Sequence, residues 1–149
     1  MEPIRLNYEA TLRFILNSYY SSHTDRFVVL IGGCARSGKT TLAGKIKMEL
    51  TERKINCLIV SLDNWLLGLN ERKGDETVRE RFNYEAIAKS VKKIKNGGKV
   101  HTSTYNPKTR LVASGKSSEP LFINKGVCVV DGVVALDVEE LRRTSDFNI

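Results

Sequence analysis

The stretch GGCARSGKTT, residues 32–41, follows directly on the apolar run FVVLI at 27–31, and its reading decides the fold. Residues 33–40 fit the spacing G-x-x-x-x-G-K-[ST] of a phosphate-binding P-loop. Glycines let successive backbone N–H groups turn inward around a phosphate with no Cβ in the way. A helix opening at the end of the loop adds its positive N-terminal end. Lys39 brings a point charge to the outer phosphates, and the Thr40 hydroxyl is a ligand for Mg2+. The expected nucleotide-binding residues are therefore Gly33, Cys34, Ala35, Arg36, Ser37, Gly38, Lys39, Thr40 and Thr41.

The flanking pattern supports that reading. A run such as 27–31 suits a parallel strand buried on both faces. After the loop, Leu42, Ala43, Ile46 and Leu50 recur at helical spacing, which predicts a helix over about 39–53. NCLIVSLD is a second buried strand ending on Asp63, so strand, turn, helix and strand make a βαβ unit with a right-handed crossover. GVCVVDG, residues 126–132, is a third such strand and ends on Asp131. The expected fold class is α/β, a P-loop NTPase fold with a mainly parallel sheet flanked by helices.

Both aspartates fall at the carboxyl edge of the sheet, where open α/β sheets bind ligands. Asp131 there can hold Mg2+ directly or through water; the alternative is a plain Asp-Gly turn. Asp63 there can accept the proton of an incoming hydroxyl as general base; the alternative is an N-cap for the following NWLLG.

Elsewhere, Tyr8, Leu12, Ile15, Leu16 and Tyr19 predict an amphipathic helix within residues 1–24, ahead of a core over 25–149, the whole chain being one domain. Residues 68–81 hold eight charged side chains in fourteen and read as a surface loop. Tyr84, Ile87, Ala88, Val91 and Ile94 predict a helix whose lysines face away from the core. KVHTSTY, NPKTRLVASGKSS and PLFIN read as short strands of a small antiparallel excursion, with turns at their Pro and Gly pairs. DVEELRR opens a helix capped by Asp137, and SDFNI resembles the start of another strand. The core is expected to be incomplete at its C-terminal end, with an unpaired edge beside the 126–131 strand.

Lys and Arg number 24 against 17 Asp and Glu, a net charge of +7 that favours polyanionic partners, nucleic acid or small phosphorylated ligands. The basic residues are scattered except at 89–99, where a solvated helix face is preferred to a nucleic-acid groove. No run approaches the ~18 apolar residues of a membrane helix. Three widely spaced cysteines fit a reducing, cytoplasmic compartment better than a disulfide framework or a zinc site.

Missing motifs narrow the chemistry. The NK at Asn124-Lys125 does not continue to an aspartate as in base-reading GTPases, and Asp131 is not followed by D-x-x-G spacing. Gly132 stands where motor-type ATPases place a water-activating glutamate. The phosphate is therefore expected to go to a bound hydroxyl, as in a small-molecule kinase. Two other classes stay open: a nucleotide-binding regulatory module without competent transfer, and a nucleic-acid-directed P-loop protein.

GGCARSGKTT, VSLDNW, RFNYEAI, STYNPKTR and VVDGVVAL occur in the order seen in the uridine kinase and phosphoribulokinase-like family of P-loop kinases. The chain resembles that family over roughly residues 25–140. The resemblance implies an ATP-dependent kinase with Asp63 and Lys39 in catalysis and Thr40 and Asp131 around Mg2+. It implies a nucleoside-like acceptor, with Phe82 and Asn83 lining its pocket, Tyr105 against its base and Arg110 close behind. Homo-oligomers are compatible with it. The chain departs from the family at Asn83, where an aspartate is usual, at Trp65-Leu66 in place of Phe-Tyr, and in having no histidine after Tyr105 and no arginine-bearing lid segment.

Overall fold

The computed structural model describes residues 8–33, 38–67, 74, 77, 79–102, 104–106, 108–109, 111–113 and 119–149. In chain order the elements begin with α1 (Tyr8–Ser22), β1 (Arg26–Ile31), α2 (Lys39–Glu52) and β2 (Cys57–Ser61). After a 3-10 turn at Leu62–Trp65 come α3 (Tyr84–Lys95), β3 (Thr104–Asn106) and β4 (Leu111–Ala113). The chain continues through β5 (Gly126–Asp131), α4 (Glu139–Thr144) and β6 (Phe147–Asn148).

The main sheet has the order β2-β5-β1-β6, with every neighbouring pair parallel. The α/β P-loop architecture expected from the sequence is borne out. Residues on β1 alternate between the two faces, as strand geometry requires. Phe27, Val29 and Ile31 pack with Ile15 of α1 and Ala43, Ile46 and Leu50 of α2. Val28 and Leu30 pack with Ile87, Val91 and Ile94 of α3 and Leu141 of α4. β5 divides the same way, Val127 and Val129 to one face, Cys128 and Val130 to the other. Two helical layers thus cover one sheet, and both apolar runs are fully buried.

Three expectations are corrected. First, no edge lies open beside β5, because β5 is bonded to β1 on one side and to β2 on the other. Second, α4 begins after Val138, which is its N-cap without a side-chain bond. Asp137 belongs to the preceding turn, where its amide donates to Val134 O at 3.0 Å. Third, PLFIN is no strand. Its pairing is one antiparallel bridge, Val100 with Leu121. Pro120 lacks an N–H, and the Ile123 carbonyl accepts from Arg26 Nε at 2.9 Å instead of from a strand. β3 and β4 do pair antiparallel, from Thr104–Ala113 to Asn106–Leu111. Among the described residues, no helix is long and apolar enough to cross a membrane.

Candidate functional site

Parallel pairing brings three strand ends to one level. Ile31 pairs with Asp131, and Asp131 with Ser61, so β1, β5 and β2 finish together. The chain leaves β1 through Gly33, φ 138°, and enters α2 at Gly38, φ 91°, a left-handed conformation that a Cβ would strain. Gly38 is the N-cap of α2 and offers no side-chain bond, and the first turn holds no acidic residue. The amides at this end receive no cap from the N-cap residue itself and carry the helix's positive pole. Lys39 there is half-buried, while Thr40 and Thr41 are exposed. Cys34, Ala35, Arg36 and Ser37 lie outside the described residues.

Asp131 is 6% exposed, the one buried charged side chain among the described residues. Burial pushes its carboxyl above the ordinary value, the Asp63 charge pushes it further, and Lys39 pulls it back. The strand ends thus bring Asp131, Asp63 and Lys39 within electrostatic reach of one another. Asp63 is exposed on the 3-10 turn, two residues past the end of β2. The N-cap of that turn is Ser61, so the Asp63 carboxylate caps no helix.

Phe82 and Asn83 are stitched to the same turn. Leu66 and Phe82 form an antiparallel bridge. Leu67 N–H donates to Arg81 O at 2.6 Å, and Asn83 N–H to Trp65 O at 3.1 Å. The Phe82 ring lies in the core, 5% exposed. Asn83 is the N-cap of α3, its Oδ1 accepting from Ala86 N–H at 3.1 Å. Tyr105 sits on β3, paired with Val112, and β3 packs against the turn carrying Asp63. The Tyr105 side chain and Arg110 lie outside the described residues.

Sequence reasoning missed the close approach of Gly132 to Leu62; Asp-Gly after a strand signalled only a turn. Among the described residues there is no cluster of three or more His, Cys, Asp or Glu able to hold a metal. A groove of about 530 Å3, lined by Lys47, Lys54, Asn56 and Phe122 among others, lies at the opposite, amino end of β2, away from these groups. Cys57 and Cys128 are free; burial pushes their thiols up to about 11 and about 12, leaving neither a nucleophile at neutral pH.

Known proteins resemble the chain in sequence and in fold. Residues 25–119 match the family model described as adenylylsulphate kinase. The chain is 25% identical over 130 residues to uridine kinase-like protein 5 of Arabidopsis thaliana, covering 83% of this chain and 27% of that protein. It is 27% identical over 128 residues to uridine-cytidine kinase A of Dictyostelium discoideum, covering 82% and 24%. The chain thus spans about a quarter of the length of these curated relatives. A possible uridine kinase from Bacillus stearothermophilus superposes with a TM-score of 0.76 at 22% identity, over 94% of this chain and 78% of that one. D-glycerate 3-kinase from Cryptococcus neoformans gives 0.59 at 14% identity, over 86% and 52%. These two likenesses are of fold.

Proposed function

The chain belongs to the adenylylsulphate kinase family of P-loop domains, and on that premise we propose that it transfers the γ-phosphate of ATP to a hydroxyl of a small, nucleoside-like acceptor. The observation that supports this reading is that β1, β2 and β5 end at one level, with Asp131 at the end of β5 in electrostatic reach of Asp63 on the turn after β2 and of Lys39 at the start of α2. When bound, MgATP supplies the phosphoryl group and the metal's charge. The chain's own groups then divide the work. Loop amides and Lys39 hold the outer phosphates and offset their charge. Asp63, exposed on its turn, takes the acceptor's proton as the hydroxyl oxygen bonds to phosphorus and ADP leaves. Asp131 and Thr40 are hard oxygen donors suited to Mg2+, whose remaining positions phosphate oxygens and water would fill. A cation also fits the buried Asp131 electrostatically, since it offsets the burial that disfavours that charge.

Uridine kinase-like relatives support uridine as the first acceptor to try. The test is ADP formation from MgATP with a panel of hydroxyl acceptors headed by uridine. Asp63→Asn keeps size and hydrogen bonding but cannot take the proton; the expected outcome is unchanged ATP binding and a rate lowered ~10²-fold or more. A near-normal rate removes Asp63 from the chemistry.

One observation favours a second reading, a nucleotide-binding regulatory module. Asn83 Oδ1 is engaged in capping α3 and Phe82 is buried, so two of the acceptor residues already have structural duties. MgATP binding without ADP formation across the panel would favour it.

A further inference from the structure

Gly132 carries no side chain at the position where a glutamate would activate water, and its surroundings give a reason. Its φ is not among the left-handed glycines, so conformation does not demand glycine here. Space does. A Cβ at 132 would stand 2.6 Å from Leu62 Cβ, 2.9 Å from Cγ and 3.0 Å from Cδ1, well inside the ~3.5–4.0 Å of an ordinary carbon contact. Rotating the leucine side chain cannot relieve this, because the nearest atom is its Cβ, fixed to the backbone.

Neither partner can step aside. Leu62 is fully buried in the core shared with Val60, Phe82, Val130 and Val134. Gly132 N–H donates to Ile31 O at 3.1 Å, tying it to the strand that feeds the phosphate loop. Ser61 pairs with Asp131 directly beside the contact. Leu62 and Gly132 are therefore the residues at which the β2 and β5 chain ends touch, and each adjoins one of the site's aspartates. Any side chain at 132 must push the Leu62 backbone, and with it the turn carrying Asp63.

We propose that Gly132 is a positioning residue: its missing side chain lets Leu62 seat against β5 and thereby sets Asp63 at its working distance from Asp131. The same crowding bars a longer acidic side chain at 132. The proposal rests on the kinase reading of Asp63, but its steric half stands independently.

The test uses Gly132→Ala, Leu62→Gly, the double variant and Gly44→Ala, a control on α2 whose Cβ would meet nothing within 4 Å. Readouts are the urea midpoint, the MgATP-induced shift in Tm, and ADP formation with uridine. Gly132→Ala is expected to lower the midpoint and to cut kcat on the order of 10²-fold with the KM for ATP within about twofold. Adding Leu62→Gly, which removes the Leu62 Cβ that stands nearest, should relieve the clash. The double variant then loses no more midpoint than Leu62→Gly alone, and part of kcat returns. With kcat referred to the folded, MgATP-binding protein, a purely structural role would leave both kcat and KM unchanged. Additive midpoints, or Gly132→Ala behaving like Gly44→Ala, overturn the proposal. If Gly132→Ala does not fold, folding of the double variant is itself the rescue, and its failure overturns the idea. If the parent protein forms no ADP with any acceptor, the kinase reading falls; the midpoint cycle alone then decides the Gly132–Leu62 interlock.

Discussion

Lys95 Nζ donates to Asp146 Oδ2 at 2.5 Å, and the same carboxylate oxygen accepts from the Val28 N–H at 2.8 Å. One carboxylate thus joins the end of α3, the middle of β1 and the approach to β6. The two bonds should differ in weight. Asp146→Ala leaves the amide of a buried strand unsatisfied and is expected to cost about 1–3 kcal/mol. Lys95→Ala removes only a partly solvated ion pair, both side chains being 25% exposed, and is expected to cost less than about 1 kcal/mol. Urea unfolding measures both; equal losses would show that the ion pair, and not the amide bond, holds this corner.

Asp131 makes a prediction about pH. Its carboxyl is raised in the fold by burial first and by Asp63 second, so the folded chain binds that proton more tightly than the unfolded one. The stability it contributes is fully present below the ordinary value of 3.8 and is lost as pH rises through the raised value. At neutral pH the charge therefore opposes folding. Asp131→Asn is expected to raise the Tm of the ligand-free protein at pH 7, with the gain disappearing below the ordinary carboxylate value, and to weaken the stabilisation by MgATP. A lower Tm at pH 7 would contradict the assigned penalty.

Lys39 should matter to donor binding before any chemistry. MgATP stabilises only the chain that binds it, and Lys39 supplies the point charge on the outer phosphates. In Lys39→Ala the MgATP-induced Tm shift is expected to fall by more than half. Equal shifts in parent and variant, followed by differential scanning fluorimetry, would remove the phosphate role from this lysine.

Asn83 separates a cap from a recognition residue. Loss of its bond to Ala86 N–H in Asn83→Ala is expected to cost about 0.5–2 kcal/mol. Asn83→Asp retains the capping oxygen and should recover that stability. If Asn83 also meets the acceptor, the KM for uridine rises in the alanine variant while that for ATP holds; an unchanged uridine KM leaves it the cap alone.

Local chemistry was legible in the sequence, and non-local contact was not. Apolar runs at β1 and β5 announced strands buried on both faces, because each needs nonpolar cover above and below. The end of β5 falls on Asp131 as read, whereas β2 stops at Ser61 and Asp63 stands two residues beyond it on a 3-10 turn, not at the strand's end. The same runs say nothing about which strands flank them, so the central place of β5 went unread. Asp137 has the chemistry of a helix cap, yet burial of Val138, 8% exposed, and the preceding turn move the helix start one residue on. PLFIN has a strand's composition, but Pro120 and the Arg26 bond at Ile123 O take it out of the ladder. The Leu62–Gly132 contact joins residues far apart in the chain, and no pattern within either segment announces it.

The sheet order also governs how the protein comes into being. β1 and β2 are made early, but they are not neighbours in the sheet; each pairs with β5, synthesised long after both. At the ~5–20 residues per second of translation, the apolar FVVLI and CLIVS segments wait for several seconds with no backbone ladder to join. Closing the sheet then brings together strands separated by most of the chain, the kind of pairing that folds slowly. Until Asp131 has emerged, the phosphate loop and the Asp63 turn have no common frame. A nascent chain arrested before β5 should therefore be held by chaperones and cut readily by protease, and one arrested after β6 has left the ribosome should resist it.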